Sequence, residues 1–124
     1  MRRWTSLLAV AAVGLCCAKG VAGEPVLPLR VLYVGNAKSP RAVDYEAFLK
    51  KHFKEATVAD RDRFDPTLAK EADVVLLDWS QRDTDVRKAK SPFGKLEEWS
   101  KPTVLLGSAG LLLAGQWQII GGAG

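Results

Sequence analysis

The side chains in this chain that could do chemistry sit where apolar runs give way to turns. The sharpest candidate is Ser108, in Gly107-Ser108-Ala109-Gly110. A serine at a strand-to-helix corner exposes its hydroxyl, and nearby backbone N–H groups can stabilise an oxyanion. The hydrolase elbow wants glycine two residues either side of the serine, and here those places hold Leu106 and Gly110. A serine nucleophile also needs a base, and the single histidine, His52, falls on the first predicted helix. Ser108 equally suits a helix N-cap whose hydroxyl accepts a backbone N–H.

Asp78 ends the third apolar run and is followed by Trp79. An acid there can hold a sugar hydroxyl or a cation, with the indole as an apolar platform, or simply cap the next turn as an ordinary strand-end residue. Asn36 follows the first run, so Asn36, Asp78, Trp79 and Ser108 form the candidate ligand-binding set. Asp60-Arg61-Asp62-Arg63 reads as a solvated, self-paired charge run. The first turn, Gly35-Asn36-Ala37, lacks the glycine pattern that a dinucleotide pyrophosphate needs. His52 has no cysteine or histidine partner in a metal-ligand spacing, so neither a metal nor another cofactor is implied. Trp99 and Trp117 read as core or interface residues.

The elements that must position these residues follow from periodicity. Arg30–Gly35, Glu55–Asp60, Asp73–Asp78 and Thr103–Gly107 are strand-length apolar runs, the third apolar on both faces. Between them the sequence predicts helices over 41–54, from Asp65-Pro66 to about Ala72, and from Ser91-Pro92 to Trp99. In the first, Val43, Ala47, Phe48 and the Leu49–Phe53 pair face the core. A last helix begins at Leu111, and Gln116–Ile120 is either a fifth strand or a loop. Such alternation predicts an α/β fold, a flavodoxin-like three-layer open parallel sheet of four to five strands. Ligands of such sheets bind beyond the C-terminal strand ends. That rim comprises Gly35–Ser39, Asp60–Arg63, Asp78–Gln81 and Gly107–Gly110.

Residues 1–22 read as a secretory signal peptide: Arg2-Arg3, an uncharged apolar stretch, then Gly20-Val21-Ala22 for cleavage. The apolar stretch is too short to span a bilayer. Removing 22 of 124 residues leaves 102, enough for one small domain. Both cysteines leave with the signal. Arg2, Arg3 and Lys19 leave too, so Lys plus Arg falls from 18 to 15 against 14 acids, and the net charge falls from +4 to about +1. A secreted or periplasmic product follows, with no basic face for nucleic acid and no membrane association after cleavage. Residues 23–29, with Pro25 and Pro28, read as a linker, and residues 30–124 as the domain.

Val31–Gly35, Ala72–Trp79, Lys101-Pro102 leading into Leu106-Gly107-Ser108-Ala109-Gly110, and Trp117…Ile120-Gly121-Gly122 together resemble the N-terminal part of the ThuA-like (trehalose utilisation-like) proteins. These are members of the class I glutamine amidotransferase-like superfamily. The resemblance implies a flavodoxin-like domain and, through the trehalose connection, a carbohydrate ligand. Ser108 stands where amidotransferases carry their catalytic cysteine and where ThuA-like proteins often have a histidine. The amidotransferase histidine and glutamate lie beyond the matched segment, so this chain lacks the cysteine triad. Family members are longer, so the chain reads as an incomplete domain or fragment. A non-catalytic binding or accessory role toward a small polar ligand is the leading expectation. A hydrolase using Ser108 and a fragment without independent function are the alternatives.

Overall fold

Val31, Leu32, Tyr33 and Val34 are all buried, as a strand packed on both faces requires. They belong to β1 (Leu27–Gly35), which is followed by α1 (Pro40–His52), β2 (Phe53–Asp60), β3 (Val74–Trp79), β4 (Thr103–Gly107) and α2 (Ala109–Gln116). The computed structural model describes residues 23–82 and 88–119. Its four strands form one sheet, ordered β2-β1-β3-β4 and parallel throughout. This is a small flavodoxin-like α/β sheet, with α1 on one face and α2 on the other. The proposed signal peptide lies outside the described residues.

Strand alternation divides the core. Val31 and Tyr33 pack with Ala42 and Leu49 of α1 and with Ala56 of β2. Leu32, Val34, Val75, Leu77 and Trp79 pack on the other face with Ala109, Leu112 and Leu113. Phe64, Phe93, Trp99 and Trp117 complete that second face; the Phe93 and Trp99 rings stack at 4.0 Å. Trp117 Nε1 donates to the Gly94 carbonyl at 2.9 Å, so both tryptophans fasten the β3–β4 connection to the core. The lower sheet end is tied by Arg30, whose N–H donates to Asp73 Oδ2 at 2.7 Å while its guanidinium pairs with the same carboxylate.

Several predicted boundaries move. β1 starts at Leu27, inside the segment read as linker, because Leu27 pairs with Phe53 across a register shift. That pairing also ends α1 at His52 rather than Lys54. On α1 the buried positions are Ala42 and Leu49, whereas Val43 and Phe48 are 60% and 55% exposed. The helix predicted after Asp65-Pro66 is a short 3-10 turn, Pro66–Ala69, and the one after Ser91-Pro92 shrinks to Leu96–Glu98. Gly94 at φ +72° stops helical continuation there. Gln116 closes α2, and Gln118 at φ 51° turns the chain, so residues 116–119 are not a strand; Ile120 lies outside the described residues.

Candidate functional site

A cleft of about 900 Å³ opens above the C-terminal ends of β1 and β3. These neighbours are the strands from which the chain departs in opposite directions, the switch point where parallel sheets bind ligands. The sequence builds one wall from the β1–α1 turn. Ser39 caps α1, its Oγ accepting from Ala42 N–H at 3.1 Å, and Pro40 fits the first helical position, where no N–H is needed. Asn36 closes the turn: its Oδ1 accepts from Lys38 N–H at 3.2 Å and its carbonyl accepts from Ser39 Oγ at 2.7 Å. Capping α1 at Ser39 sets Arg41, Asp44, Tyr45 and Phe48 along one side of the helix, and all four line the cleft.

The floor is a clasp around Asp78, which is only 3% exposed. Tyr33 donates its hydroxyl to Asp78 Oδ2 at 2.6 Å. Arg41 grips both carboxylate oxygens, Nε to Oδ2 at 2.7 Å and Nη2 to Oδ1 at 3.0 Å. The fork-on-carboxylate geometry satisfies a charge that burial alone would not tolerate. The Asp78 hydrogen bond raises the Arg41 pKa further above its ordinary value, while burial followed by the bond to Asp78 pushes the Tyr33 phenol well above its own. Tyr33 reaches Asp78 by passing over Gly35. A Cβ there would lie 2.8 Å from the Tyr33 ring and would push it away from Asp78.

Arg61 and Arg82 also line the cleft. The Arg61 side chain is 8% exposed and lies 3.9 Å above the Trp79 ring, a cation–π contact. The charge run is self-paired as expected, Arg61 Nε lying 3.9 Å from Asp62 Oδ1, but it is not solvated throughout: Arg61 is half-buried, while Asp62 and Arg63 are exposed. Arg82 is exposed and has no side-chain partner among the described residues. Asp44, also exposed, supplies an acceptor.

Of the sequence-selected residues, Asn36 and Asp78 line this cleft and Trp79 and Ser108 do not. Trp79 is 3% exposed in the opposite core layer and touches the site only through Arg61; its Nε1 meets no acceptor among the described residues. Ser108 follows β4, beyond β3. Its N–H donates to the Trp79 carbonyl at 2.7 Å, and its own carbonyl accepts from Leu111 and Leu112. The hydroxyl makes no capping bond, so the helix start is held by backbone alone. The positive φ of this corner falls on Gly107 (+63°), whereas an elbow would strain the serine itself. A Cβ on Gly107 would sit 2.1 Å from the Trp79 oxygen. His52 ends α1 at the opposite, N-terminal edge of the sheet and pairs with Glu24 at 3.2 Å.

Among the described residues no group of three His, Cys, Asp or Glu side chains is placed to hold a metal, and no helix is long and apolar enough to cross a membrane. No family model matches the chain, and no curated protein or solved structure matches it significantly.

Proposed function

We propose that the chain is an exported, ThuA-like binding or accessory domain that holds a small polar ligand, a carbohydrate, in the cleft over β1 and β3. One observation carries this reading. The cleft joins fixed hydrogen-bonding groups to an apolar wall, with Asn36, Arg41 and Asp44 beside Tyr45 and Phe48. Sugars present hydroxyls around their edge and C–H groups on their faces, so they need both kinds of surface. Concave sites with a few placed polar groups are where small ligands bind. The ThuA resemblance supports the carbohydrate class, and residues 1–22 support export.

The test is titration of the purified chain with neutral mono- and disaccharides, followed by backbone amide NMR shifts. Shifts clustering on Asn36–Phe48 and Asp78–Arg82 are expected. Saturable shifts centred instead on Gly107–Leu112 would move the site to the Ser108 corner, and no shifts with any sugar would end the reading.

A further inference from the structure

We infer that the ligand of this cleft carries an anionic group, a carboxylate or phosphate, attached to its hydroxylated body, and that Arg41 and Arg82 receive it. The inference rests on the binding role proposed above and narrows its ligand class.

Arg41 is the first reason. Its Nε and Nη2 are committed to Asp78, and Tyr33 buttresses the same carboxylate from behind. The guanidinium is thereby fixed in place before any ligand arrives. Nη1 has no partner among the described residues, and the side chain is 43% open to solvent. An arginine immobilised through one edge with a free donor on another loses little entropy on binding.

Arg82 is the second. It lines the same cleft, and its side chain has no partner among the described residues. The two acids in the cleft do not cancel this charge equally. Asp78 is already neutralised by Arg41 and sealed from solvent, which leaves Asp44 as the one carboxylate open to a ligand among the described lining residues. Arg61 adds no open charge, because its guanidinium is held over Trp79, with Asp62 Oδ1 3.9 Å from Nε and Nη1 donating to the Asp78 carbonyl at 3.4 Å. Asn36 adds a neutral donor, since its Oδ1 is occupied by Lys38 N–H while its amide NH₂ has no partner among the described residues. Donors thus outnumber acceptors, the balance an anion requires. Asp44, Tyr45 and Phe48 continue along α1 and suit the uncharged, hydroxylated remainder.

The experiment is calorimetric titration of the chain with glucose, glucuronate, a hexose monophosphate and inorganic phosphate, at low and high salt. Glucuronate or the hexose phosphate is expected to bind at least about tenfold more tightly than glucose, the worth of one charge-assisted contact. That advantage should shrink as salt rises. Which of the two acids binds better identifies the source of the charge. Arg82→Gln should remove about tenfold from the acidic sugar, a larger loss than from glucose, and its exposed position keeps the fold intact. Lys54→Gln, at the opposite end of the sheet, should change neither. Glucose binding as tightly as both acids would overturn the inference while leaving the sugar-binding role standing, as would an unchanged affinity in Arg82→Gln. Inorganic phosphate binding as tightly as the hexose phosphate would also overturn it, because the body would then contribute nothing. Failure of all four probes would remove the binding role itself.

Discussion

Replacing Arg41 by alanine is the most direct test of how the cleft floor is held. The Asp78 side chain is 4% exposed, whereas that of Arg41 is 43% exposed, so the pair is neither a surface bridge nor a fully buried one. Removing one partner of a fully buried pair costs about 3–5 kcal/mol, and a surface pair is worth about 0–1 kcal/mol. Among the described residues, Arg41→Ala leaves Asp78 Oδ1 with no hydrogen-bond partner and Oδ2 with Tyr33 alone. Water entering where the guanidinium stood recovers part of that loss, so a destabilisation of about 2–3 kcal/mol is expected. Urea unfolding measures it as a lower midpoint at constant slope. Asp78→Asn should cost less, about 1–2 kcal/mol, because the neutral amide still accepts from Tyr33 and the freed Arg41 is open to water. The double variant should cost less than the sum of the singles, because the amide no longer needs the cation. A loss below about 0.5 kcal/mol for Arg41→Ala, or strict additivity, would refute the view that this carboxylate depends on its arginine.

Gly107→Ala should destabilise by at least about 2 kcal/mol, since it combines left-handed backbone with a Cβ 2.1 Å from the Trp79 oxygen; urea unfolding checks it. At high pH, Tyr33 should ionise only far above its ordinary 10.0, because burial and the Asp78 hydrogen bond favour the protonated phenol. A raised folded-state pKa gives stability that is full below the unfolded value and is lost as pH rises through the folded one. Phenolate absorbance of the wild type minus Tyr33→Phe should therefore show a late step, coincident with unfolding. In acid the sign reverses for Asp73, whose carboxyl is held below its ordinary range by hydrogen bonds from the Arg30 side chain and N–H. Its contribution is present above the unfolded carboxylate pKa and is lost as pH falls through the folded one. Asp73→Asn should flatten the acid limb of a stability–pH curve.

The parallel sheet was legible because each strand is a short apolar run whose exit carries a turn residue. The rim was legible for the same reason, and Asn36 and Asp78 were found on it. Trp79 was misplaced for a reason the sequence itself contained. Consecutive strand residues point to opposite faces, so an Asp78 aimed into the cleft sends Trp79 into the other layer. Ser108 was grouped with them because periodicity does not reveal strand order, and β3 separates β4 from β1. The helix predicted around 92–99 failed because Gly94 and the aromatic stack of Phe93 on Trp99 favour irregular chain over propensity, while the one after Asp65-Pro66 stops as a 3-10 turn at Ala69. Arg41, Arg61 and Tyr33 were missed, although each had a signal. Arg41 lies in the first turn of a Ser-Pro-capped helix, which faces the rim. Arg61 directly follows a strand end. Tyr33 is an aromatic with a polar tip two residues before a glycine, and a buried hydroxyl must find a partner.

The guanidinium of Arg61 resting on the Trp79 indole has an optical consequence. Any molecule that draws on that cation from the solvent side alters the electrostatic surroundings of a chromophore sealed in the opposite layer. Occupancy of the cleft therefore reaches the protein's intrinsic tryptophan emission without a label, and Trp79→Phe would silence that part of the signal while Trp99 and Trp117 continue to fluoresce.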